Sequence, residues 1–293
     1  GKIGFESSKQ QLIFNLINPF ALKWFIYTII PLTLFFFIVA FIKPKFNKLQ
    51  KDVIMLLIIW FAVPITRVSL PGTTIYGGVR QIMEFIPAFV LIAGYGAYNF
   101  ILKIESLFKL KENVILRIIF LGLVLLFLVT VLLRIHPNEN VYFNSISGGL
   151  KINYENNFPS AGLSLGNAYL QGVKWINENA VKNSKLALIQ GTSVNVPAYL
   201  VRPDVSYSNY HWTGINRGGE YLMELTHIYD VRVYHYAWEY VEKMLEPVYQ
   251  VEVDGVPILK IWKNDFDHTK KEFQKNEKIY NDSITIEKIV NSI

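Results

Sequence analysis

The chain has 293 residues, is 52% hydrophobic, carries a formal net charge of +6 and contains no cysteine. Disulfides and cysteine-ligated metals are thereby excluded. The charge is split: residues 1–134 hold 14 Lys+Arg against 5 Asp+Glu, and residues 135–293 hold 15 against 18. The pI near 9.2 therefore points away from a nucleic-acid partner, because the basic excess sits in loops between apolar runs, as the positive-inside rule places it.

In chain order, residues 1–20 are mixed and mildly amphipathic. Trp24 to Ile42 is an uncharged run of 19 residues interrupted only by Pro31, which a membrane helix tolerates. The next loop carries Lys43, Lys45, Lys48 and Lys51, and that density assigns it to the cytoplasm. Val53 to Ile65 is a second apolar run, only 13 residues long and so short of the ~30 Å hydrocarbon core at ~1.5 Å per residue. Either Arg67 snorkels at the outer interface, or the helix breaks at Pro64 beside a wet cavity. The following connector, with Pro71-Gly72 and Gly77-Gly78, has turn chemistry and is extracytoplasmic on this reading. Phe85 to Leu102 gives 18 uncharged residues, enough for a crossing. Lys103, Lys109 and Lys111 follow on the cytoplasmic side. Val114 to Leu133 returns, with Arg117 one turn inside and free to snorkel. The expected architecture is a polytopic α-helical membrane domain over residues 1–134, with spans near 24–42, 53–70, 82–102 and 114–133. An extracytoplasmic α/β domain with a charged tail follows over 135–293. The start at Gly1, without a signal-peptide layout, is expected to mark the C-terminal part of a longer, multi-pass plasma-membrane protein.

The second part has α/β grammar. Leu170–Ala180 spaces its apolar residues as a helix does. Leu186–Gln190 is a short apolar strand, and Val231–Tyr236 alternates with period two. Ala237–Leu245 reads as a helix. Val248–Val253 and Val256–Trp262 flank Asp254-Gly255, the strongest hairpin signal in the chain.

Arg80 is the leading candidate for chemistry. A guanidinium at the end of a membrane helix, preceded by two glycines, presents a bidentate fork to a phosphate. Gly77 and Gly78 would let the backbone approach the same anion. The competing reading is an interfacial anchor paired with Glu84 at i,i+4. Arg67 shares that chemistry, and two arginines bracketing one short loop suit a lipid-linked phosphate or diphosphate. Glu84 is a base on one reading and a salt-bridge partner of Arg80 on the other. Tyr76 has the means to hydrogen-bond a headgroup or sugar. His136, with Tyr142 and Asn144 nearby, either lines a polar site or belongs to a plain linker. His211, His227, His235 and His268 have no metal-ligand spacing, so no metal site is assigned.

Two stretches resemble the GT-C membrane glycosyltransferases, specifically the protein-mannosyltransferase-like family 39 and its aminoarabinose-transferase relatives. Tyr76-Gly77-Gly78-Val79-Arg80, with Phe85-Ile86-Pro87-Ala88 and a Gly94-Tyr95-Gly96 turn, is similar to that family's Tyr-Asp-Gly-x-Arg loop and the Leu-Pro-x-Leu helix after it. His136-Pro137, Glu139 to Asn144 and Gly148-Gly149 are similar to the passage that follows its last membrane helix. The resemblance implies an enzyme that moves a sugar from a polyprenyl-phosphate donor to an extracytoplasmic protein, lipid or glycan acceptor. Arg80 would then lie near the donor phosphate, Arg67, Gly77 and Gly78 beside it, with Tyr76, Glu84, His136, Tyr142 and Asn144 lining the substrate. No cofactor follows from the residues, and a divalent cation is left open. The chain departs from the pattern at Gly77, where the family has Asp. Family catalytic carboxylates are expected upstream of Gly1, so turnover by this chain alone is not expected. The alternative class is a non-catalytic membrane protein whose α/β domain binds a glycan or a partner.

Overall fold

A computed structural model of the chain describes residues 13, 16–42, 48–73, 78–110, 113–158, 160–164, 166–189, 196–207, 219–226 and 241–274. It divides into two compact units, Gly1–Pro159 and Ser160–Ile293, so the division falls later than the expected boundary after residue 134.

The first unit is helical. Among the described residues, Leu49–Ser69, Gly78–Leu107 and Val114–Ile135 are long and apolar enough to cross a membrane; a bent pair, Phe20–Thr28 with Pro31–Val39, makes a fourth if counted as one span. That pair corrects the expected first span. Helix α1 (Phe20–Thr28) and helix α2 (Pro31–Val39) meet at 107°. Pro31 is not an interior kink but the first residue of α2, where its missing N–H costs nothing. It forces the preceding residue out of the helical region, and Ile29 and Ile30 are both extended.

Both ends of α1 are tied to one end of this unit. Asn18 N donates to the Ser69 carbonyl at the close of helix α3 (2.8 Å), and Asn144 N, beyond helix α5, donates to the Tyr27 carbonyl (2.8 Å). Helix α1 therefore runs across that end instead of through the bundle.

Helix α3 (Lys48–Ser69) continues through Pro64. Its 22 residues reach ~33 Å, so the shortfall expected for the second span does not arise and Arg67 lies in its last turn. Helix α4 (Ile86–Leu107) is continuous through Gly94-Tyr95-Gly96, which form no turn. Gly96 serves packing instead: a Cβ there would lie 1.8 Å from the Phe36 carbonyl oxygen of α2, the close backbone approach that small residues permit between membrane helices. Nearer the start of α4, phenylalanines of α1, α2, α3 and α4 pack ring against ring, with Phe25–Phe85 at 5.2 Å, Phe25–Phe89 at 5.3 Å and Phe37–Phe61 at 5.0 Å between centroids. Helix α5 (Val114–Ile135) starts on Asn113, whose side chain accepts from Leu116 N. Arg117, free on the sequence reading, has a partner. Its guanidinium grips Glu105 of α4 through two bonds of 2.8 Å.

The second unit carries a mixed sheet in the order β2-β1-β3-β5-β4, from β1 (Lys185–Leu188), β2 (Ser206–Tyr207), β3 (Tyr221–Leu225), β4 (Pro247–Val253) and β5 (Val256–Lys263). Strand β1 is parallel to β2 and β3, while β5 is antiparallel to both β3 and β4. Asp254 (φ +50°) and Gly255 (φ +76°) turn the expected hairpin with two left-handed residues, as a tight β-hairpin requires. After the short helix α6 (Gly149–Glu155) of the first unit, helix α7 (Gly166–Asn179), expected from residue 170, packs Gly172 onto Met223 and Leu259 and stacks Trp175 on Tyr249 at 5.4 Å. A second cluster holds Ala187, Leu222, Val241, Met244, Leu245 and Trp262. Strand β3 was not foreseen, since all five of its residues are buried and so show no alternation. The strand expected at Val231–Tyr236 lies outside the described residues.

Arg202 closes the end of α7. It donates to the carbonyls of Asn177 (2.8 Å), Ala180 (2.8 Å) and Val181 (3.3 Å), and pairs with Asp204 at 2.5 Å. Cations at helix C-termini satisfy otherwise orphaned acceptors. Arg202→Ala is expected to destabilise the second unit by about 1–2 kcal/mol, read from its unfolding midpoint in denaturant; an unchanged midpoint would show that water replaces the guanidinium at no cost. The contact also holds the Asp204 carboxyl below its ordinary value. Its contribution is present above the unfolded-state pKa and is lost as pH falls through the lower folded value.

Candidate functional site

The residues singled out around Arg80 sit on an unexpected local structure. Gly78–Phe85 is a 3-10 helix leading into α4. With three residues per turn, positions i and i+3 share a face and i,i+4 point ~120° apart. Arg80 and Glu84 therefore do not pair, which corrects the i,i+4 expectation. Gln81 and Glu84 share a face instead, and both meet Arg67 from α3. Arg67 Nη2 donates to the Gln81 carbonyl at 2.8 Å and to Glu84 Oε1 at 3.2 Å.

This ion pair is wet, with side chains 57% and 55% exposed for Arg67 and Glu84. With Trp60, Val63 and Pro64, the pair lines an open cleft of ≈350 Å³. Apart from the ion pair, the lining is apolar, an indole, a valine and a proline. Arg80 is exposed on the same 3-10 helix, and no hydrogen bond or ion pair engages its side chain among the described residues.

Gly78 has a different use from the one expected. It is buried with φ +62°, and a Cβ there would stand 2.9 Å from the Trp24 ring. The glycine admits the indole of α1. Trp24 in turn packs on Phe143 (5.3 Å) and Phe158 (5.4 Å), so α1 and the segment after α5 together buttress the start of the Arg80 helix. Gly78→Ala combines left-handed strain with this overlap and is expected to cost about 1–3 kcal/mol. It should lower the melting temperature of the protein in detergent and any Arg80-dependent activity together. Unaltered melting would mean that Trp24 yields freely. Tyr76 and Gly77 lie outside the described residues.

Beyond α5, His136 Nδ1 lies 2.6 Å from Glu139 Oε1, with side chains 68% and 38% exposed. The Glu139 carboxyl is held below its ordinary value by its own backbone N–H and by the histidine. Tyr142 is half-buried. Asn144 is 1% exposed and its amide is fully occupied. Nδ2 donates to the carbonyls of Ile26 (2.6 Å) and Ile29 (2.7 Å), while Oδ1 accepts from Ile146 N (2.9 Å) and Ser147 N (3.1 Å). An asparagine side chain has two donors and two main acceptor positions, so nothing remains for a substrate. Asn144 is the plug of the α1–α2 break, a role that no local signal announces because its partners lie 115 and 118 residues away.

His211, His227 and His235 lie outside the described residues, and His268 contacts Asp265. Among the described residues no group of three or more His, Cys, Asp or Glu gathers to hold a metal. Comparison with protein-family profiles, curated proteins and solved structures gives no match to this chain.

Proposed function

We propose that the chain is part of a membrane glycosyltransferase that takes a sugar from a polyprenyl-phosphate donor and passes it to an acceptor outside the cell. The observation that carries this reading is the cluster at the start of α4. There an exposed Arg80, with no ion pair among the described residues, shares a 3-10 helix with Glu84, which with Arg67, Trp60, Val63 and Pro64 lines an open cleft. A lipid-linked phosphate asks for that combination, an apolar wall for the chain and a guanidinium for the oxygens. The order of the Arg80 and His136–Gly149 stretches, similar to that of the family named above, supports it too.

In the reaction, the bond between the anomeric carbon and the phosphate oxygen breaks, and its electron pair stays on the phosphate. The acceptor oxygen forms the new glycosidic bond and gives up its proton to a base that we do not assign among these residues. Arg80 would stabilise the charge gathering on the leaving phosphate, an electrostatic role. The unit beginning at Ser160 would face outward and take part in holding the acceptor.

The full-length protein in its membrane should transfer labelled sugar from polyprenyl-phosphate donors and not from nucleotide sugars. No transfer from any lipid donor would move the non-catalytic glycan- or protein-binding reading ahead. The orientation has its own test, made easy by the absence of native cysteine. A Ser145→Cys variant should react with an impermeant maleimide on intact cells, whereas Ser106→Cys should react only after permeabilisation. The reverse pattern would invert the topology.

A further inference from the structure

The cleft contains a residue whose charge works against an anion. Glu84 Oε1 holds Arg67 Nη2 at 3.2 Å, and the Gln81 carbonyl holds the same nitrogen at 2.8 Å. Arg67 thus stands fixed but neutralised, and the carboxylate faces the same space as the guanidinium. A site built only to bind negative charge tightly would not place a carboxylate there.

A use for that carboxylate follows if the function proposed above holds, because the two lipids the site must tell apart differ in charge. The sugar-bearing donor is a phosphodiester with one negative charge. The spent lipid is a phosphate monoester carrying about −1.5 to −2 near neutral pH. A fixed carboxylate repels each in proportion to its charge.

We propose that Glu84 sets the charge preference of this cleft, lessening the electrostatic advantage that the phosphate monoester has over the lipid phosphodiester, so that the spent lipid is released more readily. Arg67 is the counter-charge that holds the Glu84 carboxylate against this cleft. Arg80, exposed on the same 3-10 helix, would add an attraction that both lipids feel.

The factors follow from the charge ratio. If removing the Glu84 charge tightens diester binding by about threefold, a wet ion pair's worth, it should tighten monoester binding by nearly the square of that, about tenfold. The test uses the purified protein in nanodiscs of neutral lipid, with farnesyl phosphate and its methyl diester as probes, comparing wild type, Glu84→Gln and Glu84→Asp. Glu84→Gln should raise the ratio of monoester to diester affinity about threefold over wild type, tightening the monoester about tenfold and the diester about threefold. Glu84→Asp keeps the charge and should keep the wild-type ratio, which separates charge from a general disturbance of the fold. Equal shifts for both probes in Glu84→Gln, or no shift, overturn the proposal while leaving the lipid-phosphate site standing. Failure of wild type to bind either probe overturns the functional reading, and this proposal with it.

Discussion

Arg80→Ala is expected to lower sugar transfer about ten- to a hundredfold while the protein still inserts and folds. The side chain is exposed and makes no hydrogen bond or ion pair among the described residues, so its removal strands no internal partner and breaks no packing. Its loss should therefore be felt only where an anion meets it. One charge-assisted contact is worth about 1.5–3 kcal/mol, and when it is made in the transition state this converts into that range of rates. Arg80→Lys should recover part of the loss, because a point charge remains but the planar fork does not. The measurement is initial rate against donor concentration, with melting temperature as control. An alanine variant with wild-type rates would make Arg80 a membrane anchor.

Asn144→Leu is expected to destabilise the helical unit by about 3–5 kcal/mol, the largest stability effect among the residues discussed. The substitution keeps the volume approximately but deletes four hydrogen bonds at a buried position. The carbonyls of Ile26 and Ile29 and the amides of Ile146 and Ser147 then lose their side-chain partner, and a buried orphan of this kind costs about 1–3 kcal/mol. For a unit of this size the melting temperature should fall by about 10 °C. Asn144→Asp should rescue little, because it restores the two acceptor bonds but turns a carboxylate toward two carbonyl oxygens. Activity should fall with stability in both variants, since α1 carries Trp24 onto Gly78 beneath the Arg80 helix. A melting temperature within about 2 °C of wild type would show that water fills the Asn144 site and that the break stands without it.

These two residues divide what the sequence made legible from what it hid. The candidate span over α4 was visible because an uncharged run of membrane length is rare by chance, those over α3 and α5 because a shorter or once-charged apolar run still stands out, and the Asp254-Gly255 hairpin because two left-handed positions need those residue types. Arg80 stood out as a lone guanidinium beside such a run. The 107° break was hidden because Ile29, Ile30 and Pro31 are as apolar as their surroundings, and hydropathy does not register backbone direction. Asn144 was noticed for the wrong reason: its real partners lie far away in the chain, where no spacing rule reaches. The pairing of Glu84 was misassigned because i,i+4 proximity holds in an α-helix, and residues 78–85 wind more tightly. Gly78 read as room for a ligand, and in the fold that room belongs to Trp24. Strand β3 escaped because burial on both faces erases alternation.

The central claim is that a lipid-phosphate sugar is consumed at the outer face of the membrane. Its most direct test presents a radiolabelled polyprenyl-phosphate sugar to right-side-out and inside-out vesicles containing the full-length protein, with acceptor added to the medium. The account predicts incorporation of label in right-side-out vesicles, strongly reduced by Arg80→Ala, and little in inside-out vesicles. Incorporation confined to inside-out vesicles, or equal incorporation by wild type and Arg80→Ala, would contradict it.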